Sequence, residues 1–146
     1  MSSDVEKMRQ LIHYTKKNAL KYHSFTGCFI YKDSELIAQS MTSIMNDRNC
    51  LAHAEMNSIQ LALNKLNSEN LADCTLFTTQ KPCMMCASAI VWAKIEKVYF
   101  GINSNHHWKE SDEIHTFFSR HRIKCEGPFL ENECIEIDKL LRSQGI

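Results

Sequence analysis

Two short clusters thirty residues apart, His53-Ala54-Glu55 and Pro82-Cys83-Met84-Met85-Cys86, constrain this chain more than any other feature of its sequence. Imidazole and thiolate are metal ligands, and Cys83 and Cys86, three apart, share one face if they lie on the first turn of a helix. Thiolates there gain from free backbone N–H groups and the positive dipole end, so they ionise readily. His53 stands just before Met56, Ile59, Leu63 and Leu66, apolar residues at helical intervals. A single shared cation therefore requires a fold that brings two helix starts to one point. One histidine and two thiolates leave a fourth tetrahedral position open to water, as catalytic zinc sites require.

Glu55 sharpens that requirement. It is two residues from His53, about 200° around an ideal helix, so both face one pocket only if His53 is the non-helical residue that starts the helix. A glutamate so placed can reach a water on the metal without ligating the metal and can act as general base and acid. Other readings of these residues stay open. Cys-x-x-Cys is also the spacing of a redox pair or of half a structural zinc site. Cys50-x-x-His53 together with Cys83-x-x-Cys86 would close a four-ligand site. Glu55 argues against closure, because a purely structural site has no use for a carboxylate at that spot.

The remaining pattern supplies a frame for the two helices. A first helix begins at a Ser3 or Asp4 cap and carries Val5, Met8, Leu11, Ile12, Tyr14 and Ala19. Strands are expected from Phe25 to Tyr31 and from Glu35 to Met41, turning at Lys32-Asp33-Ser34, and a glycine-free loop from Thr42 to Ala52. The helix from His53 fades at Asn67-Ser68-Glu69-Asn70. A β-rich stretch, Cys74 to Thr79, precedes a helix opened by Pro82 and carrying Cys83, Cys86, Ala87, Ile90 and Val91. Lys97 to Gly101 is a further strand. A helix near Asp112 to Ser119, a strand near Arg122 to Cys125 and a last helix from Asn132 complete the chain. Strand, helix, strand in this rhythm predicts parallel pairing with helices on the sheet faces, hence an α/β class with an antiparallel hairpin at one side.

Composition narrows the function classes. A length of 146 residues suits one domain spanning 1–146, with no repeat or low-complexity tract to divide it. Seventeen basic and seventeen acidic side chains cancel, so no global field draws nucleic acid or an anionic membrane. Seven cysteines, an odd number, behind a start without a charged-then-apolar signal segment predict reduced thiols in the cytoplasm. Cys28, Cys74, Cys125 and Cys134 then read as small buried hydrophobes. No apolar run approaches the roughly 20 residues that span a bilayer, so a soluble protein is expected.

Over His53-Ala54-Glu55-Met56 and over Thr75 to Ile90 the chain resembles the cytidine and deoxycytidylate deaminase superfamily, in the branch of bacterial guanine deaminases, tRNA adenosine deaminases and fungal cytosine deaminase. The resemblance implies a three-layer fold, a five-stranded mixed sheet flanked by helices, assembled as a homodimer or larger oligomer. It implies Zn2+ held by His53, Cys83 and Cys86, and Glu55 as the proton shuttle of a zinc-dependent hydrolase acting on the C–N bond of a cyclic amidine. It also marks departures. The branch commonly carries a substrate-binding asparagine where this chain has Thr42, followed by Ser43, and a hydroxyl cannot mimic the amide's paired donor and acceptor. Asn46 is a candidate replacement. Cys50-Leu51 stands where relatives often show Pro-Thr, and Lys81 where many place an acid.

The substrate class follows less directly. Val91-Trp92-Ala93-Lys94-Ile95 resembles guanine deaminases. Trp92 can stack on a base, although one aromatic on a helix face is more often core. Trp108, in His106-His107-Trp108, can roof the pocket, and Phe117-Phe118 can pack on a planar ring. Adjacent histidines without nearby cysteine or carboxylate spacing read as solvated, not as a second zinc site. Ala54, between ligand and carboxylate, joins Thr42, Ser43, Trp92 and Trp108 as a candidate substrate contact. A tRNA substrate rewards basic surface. Residues 103–146 carry six basic and eight acidic side chains, and residues 1–24 five basic and two acidic. A free nucleobase, nucleoside or related amino-heterocycle of guanine or cytosine type is therefore preferred to tRNA. Outside enzymes, a catalytically silent zinc-fold binding protein is the alternative.

Overall fold

The computed structural model describes residues 3–103 and 111–145, with the side chains of residues 111 and 112 left aside. Helix α1 (Asp4–Tyr22) starts where the Ser3 side chain accepts a hydrogen bond from the Glu6 amide. Strands β1 (Gly27–Lys32) and β2 (Glu35–Met41) pair antiparallel. The expected loop after β2 contains a four-residue helix, α2 (Ile44–Asp47), too short to leave a periodic signal. Then come α3 (Ala54–Leu66), β3 (Cys74–Gln80), α4 (Met84–Trp92), β4 (Lys97–Ile102), α5 (Ser111–Arg120), β5 (Lys124–Glu126) and α6 (Glu131–Ser143). Pro82 sits one residue before the cap of α4 and not inside its first turn.

The sheet runs β2-β1-β3-β4-β5, with β1 antiparallel to β3 and the pairs β3/β4 and β4/β5 parallel. This is the mixed five-stranded α/β architecture expected. Side-chain alternation splits the apolar residues into two cores. Cys28, Ile30, Leu76 and Val98 face one side, packing with Ala54, Ile59 and Ala62 of α3, Ala87 and Ile90 of α4 and Ile114 and Phe118 of α5. Phe29, Tyr31, Phe77 and Tyr99 face the other, against Met8, Leu11 and Ile12 of α1 and Cys134, Ile137 and Leu141 of α6. On that second side the rings form a ladder across the strands, Phe29 to Tyr31 to Phe77 to Tyr99, with Phe77 and Tyr99 stacked at 4.9 Å. Gly27 lets α1 lie close on the sheet, since a Cβ there would collide with Thr15 Oγ1.

The antiparallel and parallel pairings together decide where a site can form. β2 and β3 finish, and β1 begins, at the same end of the sheet, as the facing pairs Gly27↔Met41 and Cys28↔Thr78 show. The segments that leave there are Thr42 after β2 and Lys81-Pro82-Cys83 after β3, and the segment that arrives is Phe25-Thr26.

Candidate active site

His53 is the cap residue of α3 and Cys83 the cap residue of α4, both with extended backbone (φ −71°, ψ 152° and φ −75°, ψ 174°). His53 is thus the non-helical first residue that lets it share a pocket with Glu55. Helix α3 is set in place from beneath by hydroxyls. Ser58 Oγ donates to the Cys28 carbonyl at 2.9 Å and Ser40 Oγ to that of Ala54 at 2.8 Å, and the two oxygens are 2.6 Å apart. Asn57 adds two bonds from its side-chain nitrogen, to the Met41 carbonyl and to Ser43 Oγ, each 3.0 Å.

His53 Nδ1 lies 3.6 Å from Cys83 Sγ and 3.4 Å from Cys86 Sγ. Tetrahedral zinc with ordinary Zn–N and Zn–S lengths separates such donors by about 3.6 Å, so the three side chains are spaced to hold it. Cys50 is exposed and does not join the cluster, so the closed four-ligand alternative is not built. The electrostatics agree with a donor set that expects a cation. A hydrogen bond from Cys86 pulls the Cys83 thiol down to about 4, helped by His53. The same hydrogen bond, with burial, pushes Cys86 far above the usual thiol range. One proton thus holds two sulfurs together, and a metal replacing it releases that proton and satisfies both. His53 is raised, chiefly by its hydrogen bond with Cys83.

Glu55 is buried, and burial raises its carboxyl to about 7, with its own backbone N–H pulling the other way. Its Oε1 has no hydrogen-bond partner. A buried orphan oxygen is rare and marks a place where water, ion or ligand belongs. His53, Glu55 and Cys83 line a cavity of about 200 Å³ together with Thr42, Ile44, Phe25, Gln80 and Lys81.

A family model of the cytidine and deoxycytidylate deaminase zinc-binding region matches residues 1–102. The chain belongs to that family. This deaminase is 30% identical over 142 residues to a tRNA-specific adenosine deaminase of Streptococcus pyogenes serotype M18, covering 94% of this chain and 89% of that one. It is 36% identical over 74 residues to the guanine deaminase of Bacillus subtilis, covering 51% of this chain and 47% of the other. A solved structure from work on A-to-I editing by tRNA:A34 deaminases superposes with a TM-score of 0.79 at 28% identity, over 90% of this chain and 98% of that one. The deaminase is a zinc-dependent hydrolase, and His53, Cys83 and Cys86 form a group that could hold its metal.

Several candidate substrate contacts stand elsewhere. Thr42 lines the cavity, and its Oγ1 accepts from the Ala54 amide at 3.0 Å in starting α3. Ser43 turns away, donating to Asp47 Oδ2 at 2.6 Å. Asn46 is exposed and donates to the Lys21 carbonyl. Trp92 is neither core nor pocket: it is 85% exposed at the far end of α4 from Cys83. Phe118 is buried in the apolar core and Phe117 packs beside it, so neither ring lines the cavity. His106, His107 and Trp108 lie outside the described residues. The structure adds Gln80, Phe25 and Ile44 to the cavity wall.

Proposed function

We propose that this deaminase acts on a free amino-substituted nucleobase, nucleoside or related heterocycle of the guanine or cytosine type. Ring C–NH2 and water become ring C=O and ammonia. The observation that carries the deamination chemistry is the buried Glu55 carboxylate, whose Oε1 has no hydrogen-bond partner, beside three candidate metal donors. Zinc held there would lower the pKa of water to about 7 and so supply a nucleophile at neutral pH. Glu55, buried beside the metal donors, is placed to accept a proton from water and return it to the ring nitrogen next to the attacked carbon. The second water proton reaches the leaving amine by the same carboxylate. Burial keeps bulk water from competing for that proton.

Helix α6, on the α1 side of the sheet, sets Glu131, Glu133, Glu136 and Asp138 against Lys139 and Arg142 and so adds no basic surface for a phosphate backbone. The second reading, deamination of adenosine in tRNA, draws on the streptococcal relative's coverage and on Lys16, Lys17 and Lys21, which lead along α1 to the cavity residues His23 and Ser24. The deciding experiment offers the zinc-loaded protein guanine, cytosine, adenine, their nucleosides and an anticodon stem-loop, and measures ammonia. Release from a free base or nucleoside upholds the first reading, and release from the stem-loop alone replaces it with the second. Silence throughout, with stoichiometric zinc, leaves a binding protein.

A homodimer is part of this proposal. The exposed Trp92, Leu61, Met45 and Leu51 give apolar area for a second copy, and sedimentation of wild type against Trp92→Glu tests it. No helix among the described residues is long and apolar enough to cross a membrane, and we place the protein in the cytoplasm on its reduced cysteines.

A further inference from the structure

Gln80 closes β3 at the cavity, and its side-chain nitrogen is buried without a hydrogen-bond partner. The residue is 8% exposed. Its direction follows from strand alternation: Leu76, four residues back, faces the α3 and α4 side, and so does Gln80. The backbone is not what lacks a partner. The Gln80 carbonyl accepts from Thr78 Oγ1 at 2.9 Å, and its amide reaches the same oxygen at 3.4 Å. An unpaired buried amide is costly, and leucine would fill the space without that cost, so packing gives no reason for glutamine here.

Two residues that line one cavity therefore each carry an orphan polar atom, the Gln80 nitrogen, a donor, and Glu55 Oε1, an acceptor. Thr42, where the resemblance leads one to expect an asparagine, accepts a hydrogen bond from Ala54 and carries no carboxamide. The cavity still contains one carboxamide, supplied from the end of β3. Resting on the deaminase reading above, we infer that Gln80 determines specificity by donating a hydrogen bond to a ring carbonyl of the substrate. The class selected is the amino-oxo heterocycle, in which one edge carries both the amine to be replaced and a carbonyl acceptor. Adenine, whose acceptors are ring nitrogens alone, is disfavoured.

The experiment compares guanine with 2-aminopurine and cytosine with 4-aminopyrimidine, pairs that differ by the carbonyl, on the zinc-loaded wild type, Gln80→Leu and Gln80→Met. The wild type should prefer the carbonyl-bearing member by about tenfold more than either variant does, the worth of one neutral hydrogen bond. Both variants should keep stoichiometric zinc and melt at or above the wild-type temperature, because they remove an unpaired polar group. A merely structural glutamine would instead lower the melting temperature and leave the preference ratio unchanged, and that result overturns the inference. So does wild-type turnover of adenine alone. Absence of wild-type turnover on every free base is the separate failure, that of the small-substrate reading itself.

Discussion

Helices α1 and α3 begin in the same way geometrically and are used in opposite ways. At α1 the residue before the first turn, Ser3, closes the helix with its own side chain. At α3 that position holds His53, which makes no side-chain cap bond, and closure passes to Thr42, eleven residues earlier and across a turn of the fold. Helix α4 repeats the choice with Cys83. The difference teaches that a cap position is a place where a side chain leaves the helix axis toward free donors, and a protein can spend it on stability or on a ligand. At α3, where the cap residue is a candidate ligand, the end of β2 supplies the missing acceptor.

The comparison breaks first at the ligands. Cys86→Ala should strip zinc from the protein, measured as metal per chain, and take turnover below detection. Next, Glu55→Gln should keep zinc and lower turnover about 10²- to 10⁴-fold, the range of a lost general base. Retained ammonia release would contradict the shuttle. The same variant has a stability signature in metal-free protein. The Glu55 carboxyl moves from 4.5 to about 7 on folding, so the folded state resists its ionisation. Its penalty is absent below about pH 4.5, grows between the two values and is full above 7. Glu55→Gln should therefore stabilise the metal-free protein by about 3 kcal/mol above pH 7 and by little at pH 4, read from denaturant midpoints at both pH values.

The caps themselves give the smaller effects. Thr42→Val leaves the buried Ala54 amide unpaired and should cost about 1–3 kcal/mol, with zinc affinity falling as His53 loses its support. Ser3→Ala should cost about 1 kcal/mol and leave zinc and turnover untouched. Equal effects of the two substitutions on metal affinity would erase the distinction between a cap for stability and a cap for the site.

The candidate metal group was legible in the sequence because its information is local. Cys83 and Cys86 are one turn apart, and Glu55 is two residues from His53. The same holds for α1, α3, β3 and α4, whose periodic patterns are long enough to read. Helix α2 was invisible at four residues, and β5 occupies Lys124–Glu126, two residues beyond the expected start, because three residues carry no alternation. Trp92 was misjudged since α4 is apolar nearly all round, so composition cannot say which face meets solvent. The Thr42–Ala54 bond and the orphaned Gln80 amide depend on which strand ends meet. The one available clue to Gln80 was a glutamine at an inward-facing strand position just before Pro82 and Cys83.

The donors of the metal group come from either side of β3, the central strand. His53 is already in the chain before that strand is made, and Cys83 and Cys86 follow it. The native spacing of all three donors is complete only when the strand lies between its neighbours, because only then do the two crossovers present their first turns to each other. Zinc uptake is therefore expected late in folding. Metal added during refolding should be captured no faster than the aromatic ladder forms, which stopped-flow fluorescence beside a zinc indicator can resolve.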